Sequence, residues 1–267
     1  MRKLISTILK TLIFFIGWAI LISFTPEVKT DNPAFLRLWW ELTPLASVVL
    51  FSFVFVFLLE KRRIRIPIAA VLFKNSLIGV VIGFIWLGSV IAILLLTKTM
   101  HIQGFNHIEY IWIWILASLF NTAMQELLMR GYLYQLWKHK YNTITATVIT
   151  TVLFTAMHGG AFEAGIIPVL NVVSMSVLMT ILLEYTGTIA APIIVHFIWN
   201  TIGAIIFGGV SLANDYPNLL NSTYQGNELL SGGEYKIEGS IVVSIINLII
   251  ITYLFIKGKK KSHVLRG

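Results

Sequence analysis

The chain has no cysteine, which excludes a disulfide framework, a thiolate nucleophile and a cysteine zinc site. Charge is scarce as well. Only 12% of the 267 residues are Asp, Glu, Lys or Arg against 57% hydrophobic, more apolar surface than one soluble core of this size would bury. No H-E-x-x-H stretch occurs, so the helix-borne zinc site built on that motif is missing. No internal repeat or low-complexity tract stands out, and no loop is long enough to hold a soluble domain. The net charge of +8 does not imply nucleic acid, because the basic residues are divided among separate loops instead of sharing one solvated patch. What is left is an all-α, polytopic membrane protein: a transmembrane helical bundle read as a single membrane domain over residues 1–267.

Apolar stretches of about spanning length give a count of about eight transmembrane helices: residues 4–24, 42–59, 77–97, 111–137, a fifth that starts in the polar 141–145 stretch and ends near His158, then 166–183, 188–207 and 241–256. The first follows Arg2 and Lys3 and is interrupted by Lys10. A cleaved signal peptide is the competing reading, but the length of the apolar run and the lack of an A-x-A-like site favour a retained span. Pro168 and Pro192 fall near the starts of the sixth and seventh helices, where a missing N–H is tolerated. Residues 208–239 read as a partly ordered outer loop.

Lys and Arg are expected to crowd the cytoplasmic side. With the N-terminus inside, Arg2, Lys3, Lys10, Lys61, Arg62, Arg63, Arg65, Lys74, Arg130, Lys138, Lys140, Lys257, Lys259, Lys260, Lys261 and Arg266 are inner, which is 16 of the 20 basic residues. Lys29, Arg37, Lys98 and Lys236 are outer, together with nine of the twelve acids: Glu27, Asp31, Glu41, Glu109, Glu163, Asp215, Glu228, Glu234 and Glu238. Both termini are therefore expected in the cytoplasm, with the 257–261 tail against anionic headgroups. Trp39, Trp40, Trp112 and Trp114 would form an outer aromatic belt and Trp137 an inner one.

Within the fourth stretch sit Gln125, Glu126 and Arg130. A charged side chain near the centre of a spanning helix costs on the order of 2.5–3.5 kcal/mol, so the carboxylate and guanidinium need a reason. Four residues apart, they share a face, and mutual neutralisation is the bland account. His158, His196 and Asn200 supply company. A rise of about 1.5 Å per residue puts Glu126 roughly 16 Å above Trp137, and His196 and Asn200 about 12 and 18 Å above Thr188. His196 and Asn200 share a helix face. His158 closes the fifth helix, where Gly159 and Gly160 would provide a left-handed stop. A carboxylate, two imidazoles and an amide at one level would make a polar cavity suited to acid–base chemistry. Each residue alone is as easily an interhelical hydrogen bond.

Three segments carry a resemblance: Gln125-Glu126-Leu127-Leu128-Met129-Arg130-Gly131, Phe154-Thr155-Ala156-Met157-His158-Gly159 and His196-Phe197-Ile198-Trp199-Asn200. They resemble the E-E-x-x-x-R, F-x-x-x-H and H-x-x-x-N/D motifs of the CAAX protease and bacteriocin-processing (CPBP, Abi) family, and the matched core runs over about residues 111–207. The resemblance implies an eight-helix intramembrane endopeptidase, similar to CAAX prenyl endopeptidases, acting on a peptide or protein substrate among membrane lipids. It gives His158 a water-activating role and His196 and Asn200 an oxyanion-stabilising role. Gln125 stands where the family has its first glutamate, and an amide has no usable basicity. Glu126 or His158 is then the general base.

Metal dependence is the other branch of the family resemblance, with Glu126, His158 and His196 around a divalent zinc ion. A catalytically impaired relative acting as a scaffold, regulator or bacteriocin-immunity protein is the alternative motivated by Gln125. A transporter is disfavoured, because charges do not recur along a path and no pair of broken helices marks two matching halves. The expected location is a bacterial plasma membrane. Because the chain is cysteine-free, its topology is directly testable: a cysteine introduced at Lys29 or Lys98 should react with an impermeant maleimide on intact cells, and one at Lys61 only after lysis.

Overall fold

The computed structural model describes residues 1–68, 72–210 and 216–264, with side chains omitted at 72 and 259–264. The outer placement of Asp215 and the inner placement of Arg266 lie outside the described residues, as do the side chains of Lys259, Lys260 and Lys261. In chain order the elements are α1 (Arg2–Ser23), α2 (Pro33–Phe53) with a π-helical extension (Val54–Leu59), α3 (Leu72–Leu96), β1 (Met100–Phe105) and α4 (Ile111–Glu126). A second π-helical turn (Leu127–Leu133) leads into α5 (Tyr134–Lys140), followed by α6 (Thr143–Met157), α7 (Gly159–Ala164), α8 (Ile166–Thr186) and α9 (Ala190–Asn200) with a third π-helical turn (Thr201–Ile206). Then come β2 (Leu220–Tyr224), α10 (Glu228–Ser231), a 3-10 turn (Gly233–Tyr235), α11 (Lys236–Gly239) and α12 (Ile241–Val264).

The fold is all-α and polytopic. Among the described residues, six helical stretches are long and apolar enough to cross a membrane: Arg2–Ser23, Pro33–Leu59, Phe73–Leu96, Ile111–Lys140, Ile166–Thr186 and Ile241–Gly258. Two shorter apolar helices, Thr143–Met157 and Ala190–Ile206, occupy the places of the fifth and seventh expected spans. The chain divides into two compact units, Met1–Pro67 with Glu109–Thr150, and Ile68–Ile108 with Thr151–Gly267.

In the first unit, α2 begins nine residues before the apolar run at 42–59, because Asn32 caps it: its Oδ1 accepts from the N–H groups of Ala34 and Phe35, and Pro33 occupies the first helical position. Phe14 of α1 is buried among Phe51, Phe55 and Tyr132, with ring centroids 6.0, 5.1 and 4.6 Å away. Lys10, the interruption in the first apolar run, ion-pairs with buried Glu60, which also accepts from Tyr132 Oη at 3.3 Å. The charge is therefore neutralised inside the protein. Trp114 and Trp137 depart from the aromatic-belt expectation. Both are buried, and Trp137 Nε1 donates to Thr11 Oγ1 at 2.9 Å. Indole is large and apolar with one donor, so burial against a hydroxyl satisfies it as well as an interface does. Trp40 and Trp112 are exposed.

In the second unit, α3 and α9 approach closely at Gly79 and Gly83. A Cβ at Gly79 would lie 2.9 Å from the Ala191 carbonyl oxygen, and one at Gly83 would lie 2.7 Å from Ile198 Cδ1. Small residues at this spacing let backbones meet where lipid supplies no hydrophobic drive between helices. Directly below that approach Trp86 stacks on Trp199 at 4.3 Å and 17°. Two of the connecting segments hold structure that the apolar pattern did not announce: β1 and β2 pair antiparallel, Met100 opposite Tyr224 and Phe105 opposite Leu220, with an irregularity between Ile102 and Gly104. Burial pushes the Tyr224 phenol well up from its ordinary pKa, so it stays protonated at physiological pH.

The α3–α9 approach makes a stability prediction. Gly79→Leu forces a side chain against a backbone carbonyl and should lower the thermal midpoint in detergent by an amount corresponding to about 1–3 kcal/mol. Gly88→Leu, whose Cβ meets nothing within 4 Å, should leave it nearly unchanged.

Candidate functional site

Gln125 and Glu126 are adjacent on α4, so their side chains leave the helix about 100° apart. They engage different partners. Glu126 Oε1 accepts from Arg130 Nη1 at 3.3 Å, and both side chains have 0% exposure. The backbone between them widens into the π-helical turn Leu127–Leu133, a form found mostly as single turns and frequently at functional positions. Gln135 Nε2 donates to the Arg130 carbonyl at 3.3 Å. Gln125 instead turns back along α4: its Nε2 donates to Asn121 Oδ1 at 2.7 Å, and Asn121 Nδ2 donates to Glu41 Oε2 on α2 at 2.9 Å. Adjacency in sequence therefore does not make Glu126 a substitute for a carboxylate at 125. It is the partner of Arg130.

In the second unit, His158 departs from the expected left-handed helix stop. The α6 helix ends at Met157, His158 takes φ −97°, and Gly159 opens α7. The His158 N–H bonds the Thr155 carbonyl at 3.0 Å and its own carbonyl accepts from Ala161 N–H at 2.9 Å, so the chain re-enters a helix without a left-handed residue until Gly165 at φ 110°. Along the side chain, His158 Nδ1 donates to the Phe154 carbonyl at 2.8 Å. A carbonyl only accepts, so the proton is on Nδ1 and, in the neutral ring, the lone pair is on Nε2.

Phe154 is the meeting point of the two imidazoles. Its buried ring lies 4.4 Å from the His158 ring and 6.1 Å, edge-on at 67°, from the His196 ring. His196 is buried on α9, and Asn200 follows one turn later as the last residue of that helix, partly exposed, where the backbone widens into Thr201–Ile206. The Trp86–Trp199 stack fixes the helix beside it. Donor and acceptor groups for acid–base chemistry thus share this unit. Among the described residues, no group of three or more His, Asp or Glu side chains is placed to hold a metal ion.

Glu41 and Asn121 were not legible as part of any site. Glu41 was expected in an outer segment, yet it is 5% exposed inside α2 and ion-paired to Arg37 Nη2 at 2.5 Å. The signal available was the four-residue spacing of Arg37 with Glu41 and of Asn121 with Gln125.

Long apolar helices, with a buried carboxylate–guanidinium pair and the buried His196 imidazole in the helical part, define an integral, multi-pass membrane protein. Residues 107–202 match the Rce1-like family, described as type II CAAX prenyl endopeptidase Rce1-like. The matched stretch includes every motif residue from Gln125 to Asn200. The match covers residues 107–202 of the 267 and is a likeness to that family over this stretch. Neither curated proteins nor solved structures yielded a match.

The buried pair yields a prediction. Arg130→Met removes the cation beside a fully buried carboxylate and should destabilise the protein by about 3–5 kcal/mol, whereas the double variant Glu126→Leu/Arg130→Met should recover most of the loss. Thermal unfolding in detergent measures both.

Proposed function

We propose that the chain is an intramembrane endopeptidase that hydrolyses a peptide bond with His158 as general base. The observation that carries the reading is the family match over residues 107–202 together with the grouping of His158 and His196 around Phe154. Because Nδ1 of His158 is committed to the Phe154 carbonyl, Nε2 is the nitrogen that removes a proton from water. The water oxygen bonds to the scissile carbonyl carbon, whose oxygen becomes an oxyanion. His196 and Asn200 donate hydrogen bonds to it. As the carbon–nitrogen bond breaks, the proton held on Nε2 passes to the leaving amine and the acid product departs.

Gln125, where the family motif has a glutamate, offers a hydrogen-bond acceptor without basicity. Glu126, engaged by Arg130, holds the helix geometry around the first motif. The setting is a bacterial plasma membrane with both termini on the cytoplasmic side, the orientation that the Lys and Arg distribution favours.

A second reading rests on Gln125. With no carboxylate at that position, the same fold would serve as a non-catalytic scaffold, regulator or immunity protein. Purified protein in nanodiscs, incubated with a library of membrane-anchored peptides and read by mass spectrometry, separates the two. The endopeptidase reading expects cleavage that falls about 10²–10⁴-fold in His158→Ala and about 10²–10³-fold in Asn200→Ala. It expects a comparable loss in His196→Ala, and unchanged cleavage in all three variants removes the assignment. Cleavage that appears only in Gln125→Glu supports the second reading.

A further inference from the structure

Four side chains of the first unit form one directed hydrogen-bond relay. It starts at the Arg37 guanidinium, which ion-pairs with Glu41 at 2.5 Å. The other oxygen of Glu41 accepts from Asn121 Nδ2 at 2.9 Å, and Asn121 Oδ1 accepts from Gln125 Nε2 at 2.7 Å. Gln125 Oε1, at the far end, is enclosed and has no hydrogen-bond partner among the described residues. An amide can face either way in a hydrogen-bond chain, so its direction must come from a group whose polarity is not reversible. Here that group is the Glu41 carboxylate. Bound to a guanidinium, it only accepts.

Each link then follows from the one before. Asn121 must turn its NH2 to Glu41, and its carbonyl therefore faces Gln125. Gln125 must turn its NH2 to Asn121, and its carbonyl oxygen is left as the presented atom. A reversed Gln125 amide would present two N–H donors in that place.

We infer that Glu41, acting through Asn121, is a positioning residue that locks the Gln125 amide with its carbonyl oxygen presented as a hydrogen-bond acceptor. The inference deepens the proposed hydrolytic reading and rests on it for its chemical meaning: where the family motif has a glutamate, this chain keeps an acceptor and gives up the base. A buried acceptor without a partner costs on the order of 1–3 kcal/mol, and a water O–H would relieve that cost. Neither Glu41 nor Asn121 belongs to the three family motifs.

The direction of the amide can be read without any activity. The chain holds four glutamines, Gln103, Gln125, Gln135 and Gln225, so selective ¹⁵N-glutamine labelling of the purified full chain in nanodiscs gives four side-chain NH2 pairs, and Gln125→Glu identifies one by its loss. The expected result is one Gln125 amide proton whose solvent exchange is slowed by its bond to Asn121, with the protection lost about tenfold in Asn121→Ala. Asn121→Ala leaves the Arg37–Glu41 pair in place. Should it fail to fold, Glu41→Gln serves: it keeps the shape but replaces the one-way acceptor with an amide that can face either way, so, besides the fifth pair that the new glutamine adds and that Glu41→Gln/Gln125→Glu identifies, the Gln125 NH2 pair should split or broaden, while Glu41→Asp should keep it single. A Gln125 NH2 signal indifferent to both Asn121→Ala and Glu41→Gln overturns the inference.

Hydrolysis supplies the second arm. Asn121→Ala should lower turnover about tenfold with Gln125 present, yet less than twofold in the Gln125→Glu background, because the two oxygens of a carboxylate present an acceptor whichever way it is held. Equal losses in both backgrounds would mean that Asn121 only supports packing and would overturn the positioning role. Protected Gln125 protons in a protein that cleaves nothing in either background would sink the hydrolytic reading while leaving the relay in place.

Discussion

A polar side chain within an apolar helix has no water to turn to, and this shortage of partners organises the structure. Glu126 reaches Arg130 one turn away, Gln125 reaches Asn121 one turn back, and Glu41 holds Arg37 at the same spacing. Lys10 crosses from α1 to Glu60. Where the same helix offers nothing suitable, a neighbouring helix does: Asn121 bonds Glu41, and Asn171 on α8 donates to the carbonyls of Glu238 and Ser240 at 2.7 and 2.9 Å. The energetic penalty for leaving such groups alone exceeds the modest return from pairing them, so the pairing pattern dictates which faces of the helices can turn inward.

That pattern separates two residues that the primary chain puts side by side. Gln125 belongs to a relay leading to α2, and Glu126 to an ion pair along its own helix. Roles that a motif assigns to neighbouring letters are therefore distributed by the 100° step of the α-helix. In the second unit the same economy works through a backbone atom. The Phe154 carbonyl takes the Nδ1 proton of His158, and the Phe154 ring contacts both imidazoles, tilted against one and edge-on to the other, so one residue sets the tautomer of one histidine and packs against two.

The apolar helices were largely legible from hydropathy, because length and freedom from charge are properties of a segment taken alone. The cores of α1, α3, α4 and α8 fall where the runs predicted them. Other features were out of reach for identifiable reasons. The β1–β2 pair joins segments more than a hundred residues apart, and the apolar–polar alternation of Met100-His101-Ile102-Gln103 is too short, ending at Gly104, to announce a strand by itself. Gly159-Gly160 reads as a helix stop, yet carbonyls on both sides were available to keep the chain helical, and α7 formed. Trp114 and Trp137 fit an interfacial belt by position alone, while their burial depends on neighbours such as Thr11 from another helix.

The sequence by itself determined the class of the protein, a polytopic helical membrane protein: its helices, their apolar character and the three motifs inside the stretch that matches the Rce1-like family. These follow from local composition and short spacings, which need no knowledge of what lies across the fold. Only the tertiary structure decided that Glu126 answers to Arg130, that Gln125 answers through Asn121 to a carboxylate on α2, and that two histidines 38 positions apart flank one phenyl ring. The reason is physical: a hydrogen bond or ring contact depends on direction in space, and the direction of a side chain is set by the packing of helices that are distant along the chain.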